Sequence, residues 1–215
     1  MLLKTTSLKR NQWLVGIALL LSVALGAAYE YMAKNSTSET AAIGIQLQGG
    51  TLLKKPQSLP AFSLKDTRGQ YFSNANLQRG WHLAFFGYAH CPDVCPATVN
   101  FVSQVWDKLP SKIRQGEKLN FLFFSLDPDR DSPEYLKEFL GRYRNDFIGL
   151  TGNRKQLDEI FKGLGIYRSA EERADGLIDH SGTLLLINAQ GRLQAIFSPP
   201  FDLEGLVKDL SLIVN

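Results

Sequence analysis

Trp81-His-Leu-Ala-Phe-Phe-Gly-Tyr-Ala-His-Cys91-Pro-Asp-Val-Cys95-Pro96 decides how this chain is read. Its opening, Trp81 to Phe86, is an apolar run typical of a strand buried inside a sheet. The second half carries both cysteines of the chain, and Val99 to Leu109 continues as a helix. The cysteines therefore fall where a buried strand gives way to a helix, whose N-terminus stabilises anions, including thiolates. Four residues apart, they are expected on one helical face, with Cα atoms about 6 Å apart. That separation permits a disulfide or a joint grip on one metal ion. A disulfide scaffold would carry more cysteines, spread along the chain. Two in one short motif point to redox chemistry, metal chemistry, or both.

Outward from this stretch, strands and helices alternate. Before it, Ala61 to Leu64 and Tyr71-Phe72 flank a Gly-bearing turn, Asp66 to Gln70, and read as a hairpin. After it come a second buried strand at Leu119 to Ser125 and an amphipathic helix over Tyr135 to Tyr143. Asp131 or Ser132 supplies that helix's N-cap, with Pro133 in its first turn. A short strand at Phe147 to Leu150 follows, then a helix from Asn153 to Leu164 ended by Gly165. Gly182 to Ile187 and Leu193 to Phe197 form a second hairpin, and Phe201 to Leu212 closes the chain as a helix. Alternation implies parallel pairing, and the terminal hairpins add antiparallel pairs. The expectation is an α/β, thioredoxin-like domain: a central mixed sheet flanked by helices, with insertions.

The chain has 215 residues and a formal charge of +3, much of it in Lys4, Lys9 and Arg10. The remainder is near neutral, which argues against a nucleic-acid partner. No charge lies between Arg10 and Glu30. At ~1.5 Å per helical residue that run reaches roughly 28 Å, close to a bilayer's hydrocarbon core. Basic residues lie only on its N-terminal side, so the positive-inside rule keeps that side in the cytoplasm and exports the rest. Trp13 and Tyr29 sit near its two ends, where interfacial aromatics belong. The expected organisation is a cytoplasmic segment (1–12), a transmembrane helix (13–29), a polar spacer (30–55) and the thioredoxin-like domain (56–215). A cleaved signal peptide is the rival reading, although its apolar region is usually shorter. The short flank, with no Arg/Ser-rich presequence, favours a single-pass bacterial inner-membrane protein whose C-terminal domain faces the periplasm.

Two thiolates are soft ligands that favour Cu(I) over hard ions, and they leave such an ion short of a third donor. His180, in Ile178-Asp-His-Ser-Gly182, precedes the second hairpin. In a thioredoxin-like fold this loop lies beside the N-terminus of the first helix. Asp179 or Ser181 could orient the ring. Spacing alone leaves His180 open between ligand and structural role. His90 adjoins Cys91, and adjacent residues are poor partners on one ion. His82 lies inside a strand and reads as a hydrogen-bonded core or surface histidine. Zinc is also compatible with two cysteines and a histidine.

Phe86 to Pro96, Phe124-Ser-Leu-Asp-Pro-Asp-Arg-Asp-Ser-Pro-Glu134 and Asp179-His180-Ser181 together resemble the three signatures of the Sco/SenC/PrrC family of copper chaperones. The resemblance covers about Pro60 to Leu212 and includes the N-terminal anchor. It implies a thioredoxin fold and copper bound by Cys91, Cys95 and His180; the soft ligands favour Cu(I), with Cu(II) left open. It further implies a role in assembling the binuclear copper centre of cytochrome c oxidase. The implied partners are the oxidase subunit carrying that centre and an upstream copper donor or a thioredoxin-like reductant. Some members act mainly as thiol reductants. One departure is Asp175-Gly-Leu-Ile178, where the family often has an aromatic residue.

Asp127, Asp129, Arg130 and Asp131 read as helix capping and a local ion pair, with Asp127 the candidate for a role near the cysteines because it ends a central strand. The competing function is thiol–disulfide exchange, with Cys91 attacking and Cys95 resolving. A peroxidase would need hydroxyl and arginine partners around one cysteine, and no such cluster adjoins Cys91.

Overall fold

Phe85 and Phe86 lie directly beside Phe123 and Phe124 in neighbouring parallel strands, and this aromatic block is the centre of the fold. The computed structural model describes Gly26 and residues 46–114, 118–167, 178 and 180–214. Contacts divide the chain into two units, Met1–Ile45 and Gln46–Asn215, and the elements that follow belong to the second.

In chain order these are β1 (Gly50–Ser58), β2 (Ser63–Asp66), β3 (Tyr71–Ser73), α1 (Asn74–Leu77), β4 (Trp81–Gly87), α2 (Val94–Lys108), α3 (Ser111–Arg114) and β5 (Leu119–Ser125). Then come α4 (Pro133–Gly141), β6 (Ile148–Thr151), α5 (Arg154–Leu164), β7 (Leu184–Ile187), β8 (Arg192–Phe197) and α6 (Leu203–Ile213). Among the described residues the strands make one eight-stranded sheet ordered β1-β8-β7-β4-β5-β6-β2-β3. β4, β5 and β6 are parallel, and the hairpins β2–β3 and β7–β8 extend them antiparallel on either side.

Side chains alternate across a sheet, and the aromatic residues divide accordingly. On one face Phe85 and Phe123 meet edge-on at 5.9 Å, and Phe139 of α4 packs on Phe123 at 5.6 Å. On the other, Phe86 stacks on Phe124 at 4.9 Å and takes Phe161 of α5 edge-on at 5.6 Å. Each such ring, fully buried, stabilises the fold by roughly 1.5–3 kcal/mol. Ser132, rather than Asp131, caps α4: its hydroxyl accepts from Tyr135 N–H. Asn153 caps α5, which ends on Gly165 in the left-handed region at φ 69°. A residue without a side chain adopts that conformation at little cost.

β1 departs from the sequence expectation. The spacer was expected to reach residue 55, yet the sheet begins at Gly50. β1 is an edge strand whose pairing with β8 shifts register between Leu52 and Gln57. Lys54, Lys55 and Pro56 occupy that shift, and such residues blunt an edge without alternating as a buried strand does. Residues 1–12, residues 13–29 apart from Gly26, and residues 30–45 lie outside the described residues. Among those described, no helix is long and apolar enough to cross a membrane.

Candidate metal and thiol centre

The centre forms where β4 ends. Leu126 N–H donates to the Gly87 carbonyl at 2.7 Å, keeping β5 beside β4 to its last residue. The chain then turns, with Cys91 N–H on the Tyr88 carbonyl at 3.2 Å, and α2 starts at Val94. Cys91 thus stands before the helix and Cys95 within its first turn, which corrects the expectation of a shared helical face. Cys95 N–H points at Cys91 Sγ, 3.5 Å away, so Cys91 occupies the anion-stabilising position at the helix start. The two thiols are not joined in a disulfide; Cys91 is half-buried and Cys95 fully buried.

The electrostatics of the pair are asymmetric. The hydrogen bond from the Cys95 thiol has the largest effect on Cys91. Backbone N–H groups of Cys95 and Asp93 and the Tyr88 hydroxyl act in the same direction against burial, and the Cys91 thiol falls from 9.0 to about 5. Cys91 is therefore the thiol of the pair that ionises first. The same bond, followed by burial, pushes the Cys95 thiol far up. Cys95 remains the proton donor of the pair until a metal ion displaces that proton or oxidation to the disulfide removes it.

His180 arrives from the loop before β7. Its Nε2 is 3.7 Å from Cys95 Sγ and its Nδ1 is 3.0 Å from the Ile178 carbonyl. A carbonyl only accepts, so the neutral ring carries its proton on Nδ1 and turns the Nε2 lone pair toward the sulfur. The group that orients the ring is thus the Ile178 backbone. Ser181 instead bonds Tyr167, through both its N–H and its hydroxyl, and Asp179 lies outside the described residues.

Tyr88, which carried no role in the sequence reading, joins the parts. Its hydroxyl accepts from Ile178 N–H at 3.2 Å, its ring lies 5.8 Å from that of His180, and it hydrogen-bonds Cys91. Burial pushes its own phenol up to about 12, so it stays a donor. Gly87 has the complementary part: a Cβ there would stand 2.9 Å from Cys95 Sγ and 2.8 Å from the Phe85 ring. The sulfur occupies the space that a side chain would fill.

The remaining candidates separate cleanly. His90 stacks on Tyr135 at 4.5 Å and reaches Asp131 at 3.4 Å. His82 is buried in β4 with Nε2 on the Leu77 carbonyl at 3.1 Å, and burial lowers it from 6.5 to about 4. Asp127 pairs with Arg130 and, at 3.7 Å, with Arg154, which also holds Asp129 at 2.6 Å. Asp131, rather than Asp127, is the carboxylate bonded to the cysteine loop: Ala89 N–H donates to its two oxygens at 3.2 and 3.3 Å. Among the described residues, no three His, Cys, Asp or Glu side chains already form a group able to hold a metal ion. The contacts present are pairwise, Cys91 with Cys95 and Cys95 with His180. Two sulfurs and one imidazole nitrogen are nonetheless a soft donor set suited to copper or zinc.

Comparison with known proteins identifies the family. The model of the SCO1/SenC family matches residues 51–215. A Stutzerimonas stutzeri protein named for copper binding is 37% identical over 166 residues, covering 76% of this chain and 80% of that one. Saccharomyces cerevisiae mitochondrial protein SCO2 is 32% identical over 201 residues, 88% of this chain but only 62% of its own length. Among solved structures, yeast Sco1 with copper bound superposes with a TM-score of 0.65 at 29% identity, over 74% of this chain and 89% of that one. With the family match running through every strand but the first residue of β1, and the cysteine loop and His180 loop meeting as described, the chain belongs to the SCO1/SenC family.

Proposed function

We propose that this chain binds copper through Cys91, Cys95 and His180, principally as Cu(I), and delivers it to the binuclear copper centre of cytochrome c oxidase or prepares the thiols of that centre during assembly. The observation that carries the proposal is the imidazole of His180, fixed by its Nδ1–H with the Nε2 lone pair facing a buried cysteine sulfur at 3.7 Å. An ion entering here would replace the proton between the two sulfurs and meet a nitrogen donor already in the correct tautomer. Two thiolates on a monovalent ion leave one net negative charge, which the start of α2 offsets in part. Three donors also leave room for a ligand of the acceptor protein to attack, so the ion passes by exchange. Oxidation of the cysteines to a disulfide would remove both sulfurs and release it.

Residues 13–29 are proposed to cross a bacterial inner membrane once, with 1–12 in the cytoplasm and 56–215 in the periplasm. The uncharged run flanked by Lys4, Lys9 and Arg10 supports this orientation. X-ray absorption of the reduced chain loaded with one Cu(I) tests the ligand set. Two sulfur donors and one nitrogen are expected; sulfur alone would exclude His180.

Thiol–disulfide exchange is the second reading, favoured by a half-buried Cys91 thiolate beside a buried Cys95 thiol. In it Cys91 attacks, Cys95 resolves, and His180 acts on the sulfurs alone.

A further inference from the structure

The cysteine loop is gripped from outside its own helix. Ala89 is buried, and a buried N–H needs an acceptor. It finds one in the Asp131 carboxylate, both of whose oxygens lie within 3.3 Å. That carboxylate is fully buried and is itself fixed: Ser125 Oγ, at the end of β5, donates to it at 2.6 Å, and Asp131 N–H donates to the Asp127 carbonyl at 2.9 Å. The next loop residue, His90, reaches the same carboxylate at 3.4 Å and stacks on Tyr135 of α4 at 4.5 Å. Cys91 follows, with its N–H turned back on the Tyr88 carbonyl. Two successive residues immediately before Cys91 are therefore clamped onto the segment joining β5 to α4.

We propose that Asp131 is a positioning residue for this centre: by holding Ala89 and His90 it sets where Cys91 stands relative to the first turn of α2 and to Cys95. The proposal rests on the reading of Cys91 and Cys95 as a copper-binding dithiol. Without the clamp, the loop is free to carry Cys91 Sγ away from Cys95 N–H, and the reduced pair loses the stabilisation that the contact gives. Copper affinity then falls, and the equilibrium between dithiol and disulfide moves toward the disulfide.

The test compares Asp131→Ala, Asp131→Asn and Ser125→Ala with the parent, all full-length in detergent, by two readouts. One is Cu(I) affinity against a competing chelator. The other is equilibration with glutathione, in which the two chain thiols and one glutathione disulfide exchange for one Cys91–Cys95 disulfide and two glutathione thiols. Asp131→Ala is expected to weaken Cu(I) binding about tenfold. It is also expected to shift the thiol equilibrium about tenfold toward the disulfide, or about 30 mV more negative. Asn keeps an acceptor for Ala89 and exchanges the Ser125 bond for one in which its amide N–H donates to the hydroxyl, so it is expected to restore both. Ser125→Ala removes one of the bonds that fix the carboxylate while leaving its oxygens to Ala89, so it is expected to move both readouts in the same direction by clearly less than Asp131→Ala. Equal shifts in Asp131→Ala and Ser125→Ala, no shift in Asp131→Ala, or no restoration by Asn would overturn the proposal. Should Asp131→Ala fail to fold, Asp131→Ser, too short to reach Ala89, carries the same expectations. A parent that binds no Cu(I), with Asp131→Ala still shifting the thiol equilibrium, would remove the copper reading and leave the positioning role standing.

Discussion

The two ends of β4 each have a histidine tied to a backbone carbonyl, and the two have opposite properties. At the start of the strand, His82 bonds the Leu77 carbonyl through Nε2 at 3.1 Å, and its Nδ1 is buried with no partner. Beyond the far end, His180 bonds the Ile178 carbonyl through Nδ1 at 3.0 Å, and its Nε2 faces Cys95 sulfur. Anchoring one nitrogen is common to both. What differs is the environment of the second nitrogen. Buried without a partner it makes the ring a neutral packing element; opened onto a sulfur at a helix start it makes the ring a donor. Residue type alone does not separate the cases, and neither does the anchoring bond.

The largest expected contrast is at the far end. Cys95→Ala removes the sulfur between Cys91 and His180 and should weaken Cu(I) binding by roughly a thousandfold, about 4 kcal/mol. Competition with a Cu(I) chelator measures it, and near-parental affinity would mean that the far end is a packing site like the near one. Next is the acid behaviour of His82. Its folded pKa is lowered to about 4 from 6.5, so the unfolded chain binds the extra proton first. The stability this histidine contributes is present above pH 6.5 and is lost as pH falls toward 4. The loss is about 3 kcal/mol at ~1.4 kcal/mol per pKa unit. Denaturant unfolding at a series of pH values reads it, and His82→Leu should level that part of the slope. A slope unchanged by the substitution would assign the acid sensitivity elsewhere. Gly87→Ala sharpens the comparison from the strand itself. The new methyl meets Cys95 Sγ and the Phe85 ring below 3.0 Å, and overpacking of this kind costs about 1–3 kcal/mol. Because it presses on the sulfur, it should weaken Cu(I) binding as well as lowering Tm, whereas His82→Leu should change only stability.

The centre of the sheet was legible because its signals are local and strong. Leu83 to Phe86 and Phe121 to Phe124 are apolar without interruption, and the helices α4 and α5 carry the caps Ser132 and Asn153, the second ending on the left-handed Gly165. β1 was not legible, because Lys54, Lys55 and Pro56 serve an exposed edge with an irregular register and so lack the period of two that marks a half-buried strand. At the site, Cys91, Cys95 and His180 were marked by residue type and by three motifs in order. Which acidic residue reaches the loop was not. Asp127 and Asp131 lie in one turn, joined by the Asp131 N–H to Asp127 carbonyl bond. Only the packing of that turn on Ala89 distinguishes them. Tyr88 escaped for a similar reason: nothing in its sequence neighbourhood foretells a hydroxyl bonded to a residue 90 positions away.

The three-ligand centre turns on the Nε2 of His180, and one titration addresses it directly. Reduced full-length chain in detergent is titrated with Cu(I) against a competing chelator, beside His180→Ala and His82→Ala. One tightly held ion per chain is predicted for the parent and for His82→Ala, with affinity reduced at least about a hundredfold, near 3 kcal/mol, in His180→Ala. Equal binding by the parent and His180→Ala would contradict the three-ligand centre and leave Cys91 and Cys95 as a pair for thiol–disulfide exchange.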